Sequence, residues 1–206
     1  MLGAVSRRRA ATWLTTLPNG AGGAGRHWVR GRPVAILPPY DVVYTLAVWG
    51  SDLYAGGEFI MANDYYNVAK WNGSSWSGLG SGPGGCVFAM TISGNALFAG
   101  GDFPIAVWNG SSWSPFGVSG WNGAMYALAA SGSDLYAGGN FTMAGNAEAD
   151  HIAKYQGFGS WSALRPGLNN MVFALTVLDT DLYAGGLFTT AAPNDAPYIA
   201  KWSGSS

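Results

Sequence analysis

The sequence predicts an all-β fold built from repeated antiparallel sheets, and three observations support this prediction. The segment Asp52-Leu53-Tyr54-Ala55-Gly56-Gly57 returns three more times in similar form, so that glycine pairs begin at residues 56, 100, 138 and 185. The chain contains 32 glycines and 10 tryptophans and is only 10% charged, a composition that is typical of turn-rich β-structure and not of disorder. Short turns containing Gly, Asn, Asp and Ser separate the apolar runs, as they do in β-hairpins.

The spacing of the glycine pairs indicates which kind of repeat this is. Successive pairs are 44, 38 and 47 residues apart, a period typical of stacked supersecondary units. In the first unit we predict four short strands at 43–48, 53–57, 68–71 and 76–79. Four antiparallel strands at this period form the blade of a β-propeller and not the coil of a solenoid. The predicted units are 43–80, 87–117, 125–164 and 172–206.

The two ends of the chain do not follow the repeat. Residues 1–32 are predicted to form an irregular, arginine-rich leader, and the repeat domain is predicted to cover 33–206. The fourth unit lacks a fourth strand, whereas 33–37 reads as a spare strand that could pair there and close a ring. Three alternatives remain open: a closed ring of four blades, an incomplete propeller with blades beyond residue 206, and a homodimer that shares a ring of eight blades.

Charge and hydropathy narrow the possible partners. All six basic residues of 1–40 are arginines and no acid accompanies them, whereas 41–206 contain four basic residues and eleven acids. Because the repeats lack the basic face that nucleic-acid binding requires, we expect no nucleic-acid partner. No apolar run approaches the roughly 18 residues of a membrane-spanning helix, so we expect no membrane insertion. The sequence does not determine the cellular location of the protein, and a cell-surface or extracellular location is favoured.

The repeat resembles the kelch type of β-propeller over residues 34–206. In that pattern a double glycine is followed by an aromatic residue and then by a tryptophan. The first aromatic position is occupied by Trp71, Trp108, Tyr155 and Trp202, and the second by Trp76, Trp113 and Trp161. The resemblance implies the propeller fold. It does not imply one function, because kelch-like propellers include scaffolds, adhesive surface proteins and a few enzymes.

Metal and cofactor chemistry is not expected. The galactose-oxidase-like enzymes of this fold need two histidines, two tyrosines and a cysteine for copper. The repeats contain only one histidine, His151, and one cysteine, Cys86. The loop acids do not have EF-hand spacing, so no calcium loop is predicted. We therefore predict no cofactor and no metal site.

The candidate binding surface consists of the irregular loops on one face of the predicted propeller. These are the loops that follow the second strand of a unit and the loops that join successive units, and variable loops on a rigid scaffold commonly bind ligands. Their aromatic, amide and charged side chains suit a glycan or a peptide. The candidate residues are Asp64, Tyr65, Tyr66, Trp121, Asn122, Glu148, Asp150, His151, Arg165, Asn170, Asp195 and Tyr198.

Three functions are compatible with this surface. We predict a non-catalytic binding or interaction module that takes a protein or glycan ligand. The first alternative is a carbohydrate-active enzyme domain whose carboxylates lie on the same face. The second alternative is a purely structural repeat segment of a larger secreted protein. No catalytic residue is assigned, because no local motif supports His151 as a general base.

Overall fold

The computed structural model of the protein describes residues 26–29, 32–35, 42–61, 65–165 and 167–203. Its described residues form strands and turns and include no helix, and therefore no helix that could cross a membrane. The predicted leader lies largely outside the described residues. Within it, β1 (Arg26–Val29) pairs antiparallel with β2 (Arg32–Ala35).

Four antiparallel sheets follow one another along the chain, and in each the strands pair in sequence order. Sheet 1 contains β3 (Val42–Trp49), β4 (Asp52–Met61), β5 (Tyr65–Trp71) and β6 (Trp76–Gly78). Sheet 2 contains β7 (Val87–Ser93), β8 (Ala96–Gly101), β9 (Ala106–Trp108) and β10 (Trp113–Pro115). The predicted all-β fold with four-stranded antiparallel units is confirmed for these sheets, and such sheets are consistent with propeller blades.

Sheets 3 and 4 also carry small hairpins. Sheet 3 contains β11 (Met125–Ser131), β12 (Asp134–Gly139), β15 (Ile152–Gly157) and β16 (Ser160–Ala163), with the hairpin β13 (Met143–Ala144) and β14 (Ala147–Glu148) inserted after β12. Sheet 4 contains β17 (Val172–Leu178), β18 (Asp181–Gly186) and β21 (Ile199–Trp202), with the hairpin β19 (Thr190–Ala191) and β20 (Asn194–Asp195) inserted after β18.

Sheet 4 has three strands, as the sequence predicts, and no described strand completes it. Residues 33–35 of the expected closing strand belong to β2, which pairs with β1 and not with β21. Residues 36, 37 and 204–206 lie outside the described part of the chain. A closing role for 33–37 stays a prediction.

The first strands of the four sheets, called the inner strands below, pack on one another in succession. Strand β3 packs on β7, β7 on β11, and β11 on β17. The four sheets follow one another in a row, and within the described residues no comparable packing that would close a ring joins β17 to β3.

The first glycine of each pair makes this packing possible. A Cβ built on Gly56 would lie 2.6 Å from Cγ1 of Val87, which belongs to the next sheet. A Cβ on Gly138 would likewise lie 2.5 Å from Cγ1 of Val172. Both distances are too short for real carbon atoms, so only glycine lets the next sheet approach this closely. The second glycine of each pair serves its own sheet, because a Cβ on Gly57 would overlap the carbonyl oxygen of Val42.

An aromatic residue at the bulge of each inner strand forms a row across all four sheets. The pairing register shifts at this position in every sheet, for example between Val43 and Thr45. Successive ring centroids in the row are 5.3, 5.5 and 5.5 Å apart, distances at which aromatic rings attract one another. The row consists of Tyr44, Phe88, Tyr126 and Phe173.

The turn between the third and fourth strands is held by its own side chains. Asn72 Oδ1 accepts hydrogen bonds from the backbone N–H groups of Ser74 and Ser75, at 3.0 and 2.9 Å, and Asn109 holds the equivalent turn of sheet 2 in the same way. Such a turn mimics a backbone turn and explains the recurrent Asn-Gly-Ser-Ser segment. On either side of it Trp71 and Trp76 pack with their centroids 5.6 Å apart.

A lysine–aspartate pair crosses the second and third strands of sheets 1, 3 and 4. Lys154 Nζ lies 2.8 Å from Asp134 Oδ2 and 5.5 Å from the ring centroid of Tyr136. Lys70 with Asp52 and Lys201 with Asp181 repeat the ion pair. In each case the hydrogen bond to the carboxylate is the main reason why the pKa of the lysine is raised.

We expect Gly138→Ala to destabilise the protein by about 1–3 kcal/mol, because the new methyl group would collide with Val172 of the next sheet. In a double-mutant cycle with Val172→Ala, the two losses in the free energy of unfolding should sum to more than the loss in the double variant, since alanine lacks Cγ1, the atom closest to the new methyl group. Urea unfolding measures all four proteins. Strictly additive losses would contradict the proposed contact.

We expect the stabilising effect of Lys154 to disappear at high pH. Because its pKa is raised by the fold, its contribution is fully present below the unfolded-state pKa of about 10.4 and is lost as the pH rises through the higher folded-state value. The pair is partly exposed, so the contribution is at most about 1 kcal/mol.

The measurement is the difference in Tm between the wild type and Lys154→Met across the alkaline range. The difference should shrink as the pH rises, and Asp134→Asn in the Lys154→Met background should lower Tm by less than it does in the wild type. A difference that does not change with pH would argue against the ion pair.

Candidate functional site

The loops that follow the second strands form short hairpins, which stand on three of the four sheets. In sheet 1 the hairpin continues β4 and β5, with Ile60 opposite Tyr66 and Met61 opposite Tyr65. In sheets 3 and 4 it is the separate pair β13–β14 or β19–β20. Sheet 2 has no such hairpin, because Phe103, Pro104 and Ile105 lead directly from β8 towards β9.

The hairpins of sheets 3 and 4 are held by asparagines from the preceding inter-sheet loop. Asn122 Oδ1 accepts hydrogen bonds from the N–H groups of Thr142 and Met143, both at 2.9 Å, and its Nδ2 donates to Thr142 Oγ1 at 2.8 Å. Asn169 makes the same three contacts with Thr189 and Thr190. Both the Oδ1 and the Nδ2 atom of Asn122, a predicted binding residue, therefore form hydrogen bonds within the protein.

Trp121 packs beneath the same hairpin. Its ring meets Phe141 edge to face, with centroids 4.8 Å apart, and Trp161 at 5.1 Å. The indole Nε1 of Trp121 is buried and has no hydrogen-bond partner in the structure. Trp121 is partly buried and packs against the core cluster of sheets 2 and 3, so the ring has a structural role beside any contact with a ligand.

His151 and Tyr198 occupy equivalent positions, one residue before the third strand of sheets 3 and 4. Both have left-handed backbones, with φ of 63° and 68°. The N–H of His151 donates to the carbonyl oxygen of Phe141 at 3.0 Å, and the N–H of Tyr198 donates to that of Phe188 at 2.9 Å. The side chain of Tyr198 is exposed, whereas that of His151 is partly buried.

The remaining candidate residues are spread over the loops of sheets 3 and 4. Glu148 lies in β14 and Asp195 in β20, and both are exposed, as are Asp150 and Arg165. Asn170 Oδ1 accepts a hydrogen bond from the N–H of Met171 at 2.8 Å.

The candidates on the sheet 1 hairpin are only partly described. Tyr65 and Tyr66 belong to β5, and Asp64 lies outside the described residues. Across the described ranges, no group of three or more His, Cys, Asp or Glu side chains is placed to hold a metal ion.

Cys86 is not an activated thiol. Its side chain is partly buried, and this burial, together with the charge of Asp102, raises the pKa of the thiol above its ordinary value. A nucleophilic cysteine needs the opposite shift.

The described residues also form a groove beside sheet 2 that the sequence analysis did not identify. The groove has a volume of about 460 Å³. Its side-chain lining combines two tryptophans, three prolines and several serines, and glycines of the loop after sheet 1 form its rim. The lining residues are Gly80, Ser81, Gly82, Pro83, Gly84, Pro104, Ala106, Trp108, Ser111, Ser112, Trp113, Ser114 and Pro115.

Two features of the chain explain why the groove is there. Sheet 2 has no hairpin after its second strand, and the exposed Pro104 stands in its place. Trp113 is fixed by a hydrogen bond of 2.9 Å from its Nε1 to the carbonyl oxygen of Leu79, which anchors the groove to sheet 1. The sequence analysis placed Trp108 and Trp113 in the aromatic pattern of the repeat and did not include them among the candidate binding residues.

A second groove of about 540 Å³ lies between the turn side of sheet 1 and sheet 2. Trp108 lines both grooves, and the second one also contains the ion pair of Lys70 with Asp52. Because those charges neutralise each other, this groove offers mainly the partly exposed rings of Trp49 and Trp108.

No protein-family model and no curated protein matches the chain. Among solved structures, the chain is similar to the computationally designed Ika4 protein, with 18% identity over 79% of this chain and 91% of that chain and a TM-score of 0.51. It is also similar to the designed Ika8 protein, with 20% identity over 78% of this chain and 45% of that chain and a TM-score of 0.51.

A third similar structure is the extracellular domain of the hybrid two component system BT4673 from B. thetaiotaomicron. Its identity is 15% over 71% of this chain and 19% of that chain, with a TM-score of 0.52. The chain thus spans less than half of the second of these structures and about a fifth of the third. At these identities the similarity supports the fold and says nothing about function.

We expect Asn122→Ala to loosen the β13–β14 hairpin even when no ligand is present. The loss of its hydrogen bonds should lower the free energy of unfolding by about 1 kcal/mol and speed up hydrogen exchange at the amides of Thr142 and Met143. Asn146→Ala, in the exposed turn of the same hairpin, is the control and should change neither quantity. Unchanged exchange at both amides in Asn122→Ala would show that the amide does not hold the hairpin.

Proposed function

We propose that the protein is a kelch-like propeller module that binds a protein or glycan ligand without catalysis. The observation that carries this proposal is the groove beside sheet 2. Tryptophan faces pack well against both the C–H faces of sugars and the side chains of peptides. The hydroxyls of Ser111, Ser112 and Ser114 add donors and acceptors that can orient either ligand.

The position of the groove supports a binding role. Strands β9 and β10 form one part of its lining, and Trp113 of β10 is held by a hydrogen bond, so this part is already ordered before a ligand binds. Its rim is the Gly80–Gly84 loop, which belongs to the loop set that the sequence marked as irregular.

The charges of the protein give no comparable support to catalysis. The aspartates of sheets 1, 3 and 4 are paired with lysines. The groove lining contains no acid, histidine or cysteine. The exposed loop acids Glu148 and Asp195 stand on hairpins of different sheets. We therefore propose recognition and not glycoside hydrolysis, which needs two carboxyl groups flanking one bond.

The proposal is tested by screening the purified protein against a glycan array and a peptide display library, followed by calorimetric titration of the best hits. Ser114→Tyr would fill the groove and should weaken binding at least tenfold, or about 1.4 kcal/mol. Ser162→Tyr makes the same change at the equivalent position of sheet 3, where Ser162 pairs with Lys154 as Ser114 pairs with Val107, and should leave affinity unchanged.

Two results would count against the proposal in different ways. No hit in either screen would contradict the binding function. A ligand that tolerates Ser114→Tyr but is lost with Glu148→Ala would keep the function and move the site to the predicted loop surface.

A further inference from the structure

The inner strand of sheet 1 exposes apolar side chains that are covered in the other sheets. Val43 is 51% exposed, whereas its equivalents Val87, Met125 and Val172 are fully buried against the preceding sheet. Leu46 is 62% exposed, whereas its equivalent Met90 is buried. Val48 continues the same exposed face. We call Val43, Leu46 and Val48 the leading face.

Sheet 4 carries the matching face at the other end of the row. Ile199 is 65% exposed, whereas its equivalents Val68, Ile105 and Ile152 are buried beneath the next sheet. Gly185 is the first glycine of its pair, but a Cβ built on it would meet nothing closer than 3.8 Å. The space that Val172 occupies above Gly138 is therefore open above Gly185. We call Gly185, Ile199 and Phe173 the trailing face.

The two faces are the two halves of one interface that the chain already forms three times. Val87 packs against Gly56 and shares a core with Val68, and Val172 does the same with Gly138 and Ile152. If a second copy repeated this junction, its Val43 would lie above Gly185 and against Ile199. The aromatic row agrees, because it alternates Tyr, Phe, Tyr, Phe, and a Tyr44 placed after Phe173 keeps that alternation.

We propose that the trailing face binds the leading face of a second copy of this chain, head to tail. The contact is heterologous, and two copies form a closed pair when each supplies one leading and one trailing face. The driving force is burial of apolar side chains that are exposed to solvent in the single chain. Monomeric proteins rarely expose such a contiguous apolar surface. Among the described residues neither face covers the other, since no packing comparable with that of β3 on β7 joins β17 to β3 there.

The test is the mass of the full chain in solution, measured by light scattering at two concentrations. The wild type should have twice the monomer mass of 21.5 kDa. Val43→Arg places a charge on the leading face, and Gly185→Leu fills the open space of the trailing face. Each variant alone should weaken association at least tenfold, whereas Phe158→Arg, a fully exposed residue at the tip of the β15–β16 hairpin, should not.

Mixing the two variants separates this proposal from its competitors. In a 1:1 mixture, Val43 of the Gly185→Leu variant can still meet Gly185 of the Val43→Arg variant, whereas the second contact carries both substitutions. Pairs containing one copy of each variant, joined by this one intact contact, should therefore reappear. Pairing that returns only in the mixture also shows that both variants are folded.

A monomeric wild type would overturn the proposal. The two faces would then be covered either by further sheets of a longer chain or by each other within one chain. A dimer that both single substitutions leave intact would overturn it as well. So would two monomeric variants that do not pair when mixed.

Discussion

The structure depends on the contact between the first glycine of each pair and the inner strand of the next sheet. At Gly56, Gly100 and Gly138 any side chain would intrude on the next sheet, and the residue that fills the space is Val87, Met125 or Val172. Because the same contact recurs at each junction, neighbouring inner strands pack alike and the bulged aromatic residues line up in one row. The repeated sequence therefore specifies the contacts between neighbouring sheets as well as the sheets themselves.

Sheet 2 departs from the other sheets in ways that belong together. Where they have Asp, Tyr and Lys, as in Asp134, Tyr136 and Lys154, it has Ala96, Phe98 and Val107. Sheet 2 thus lacks the carboxylate, the phenol and the ammonium group together, so none of the three remains there without its partner. In their place Phe98 packs edge to face on Phe116, with centroids 4.8 Å apart. The same sheet lacks the second-strand hairpin and borders the groove lined by Trp108 and Trp113. Sheet 2 is therefore the part of the row that differs most from a plain structural repeat.

The irregular loops are more ordered than their sequences suggest. Asn122 and Asn169 hold the hairpins of sheets 3 and 4 through the same set of hydrogen bonds, and Asn67 holds sheet 1 by bonding the backbone of Phe59 and Gly85. Polar residues in these loops thus have structural partners. A polar residue in a variable loop is for this reason weak evidence of a ligand site, and a groove with fixed walls is stronger evidence.

The sequence by itself determined the all-β class, the meander of strands in each sheet and the position of most turns. These features depend on local patterns: glycine pairs, alternating apolar residues and Asn-Gly turns act over a few residues, so they can be read without knowing the fold. The three strands that the described part of sheet 4 contains could be predicted in the same way.

Only the tertiary structure decided which residues meet across sheets. Gly185 has the same local sequence as Gly138, yet one is open and the other is filled, because the difference lies in whether another sheet follows. Trp121 and Asn122 looked like surface residues, but contacts with Phe141 and Thr142, about 20 residues away in the chain, involve them in packing. The groove beside sheet 2 combines segments from two sheets, and no local pattern records that their side chains face one another.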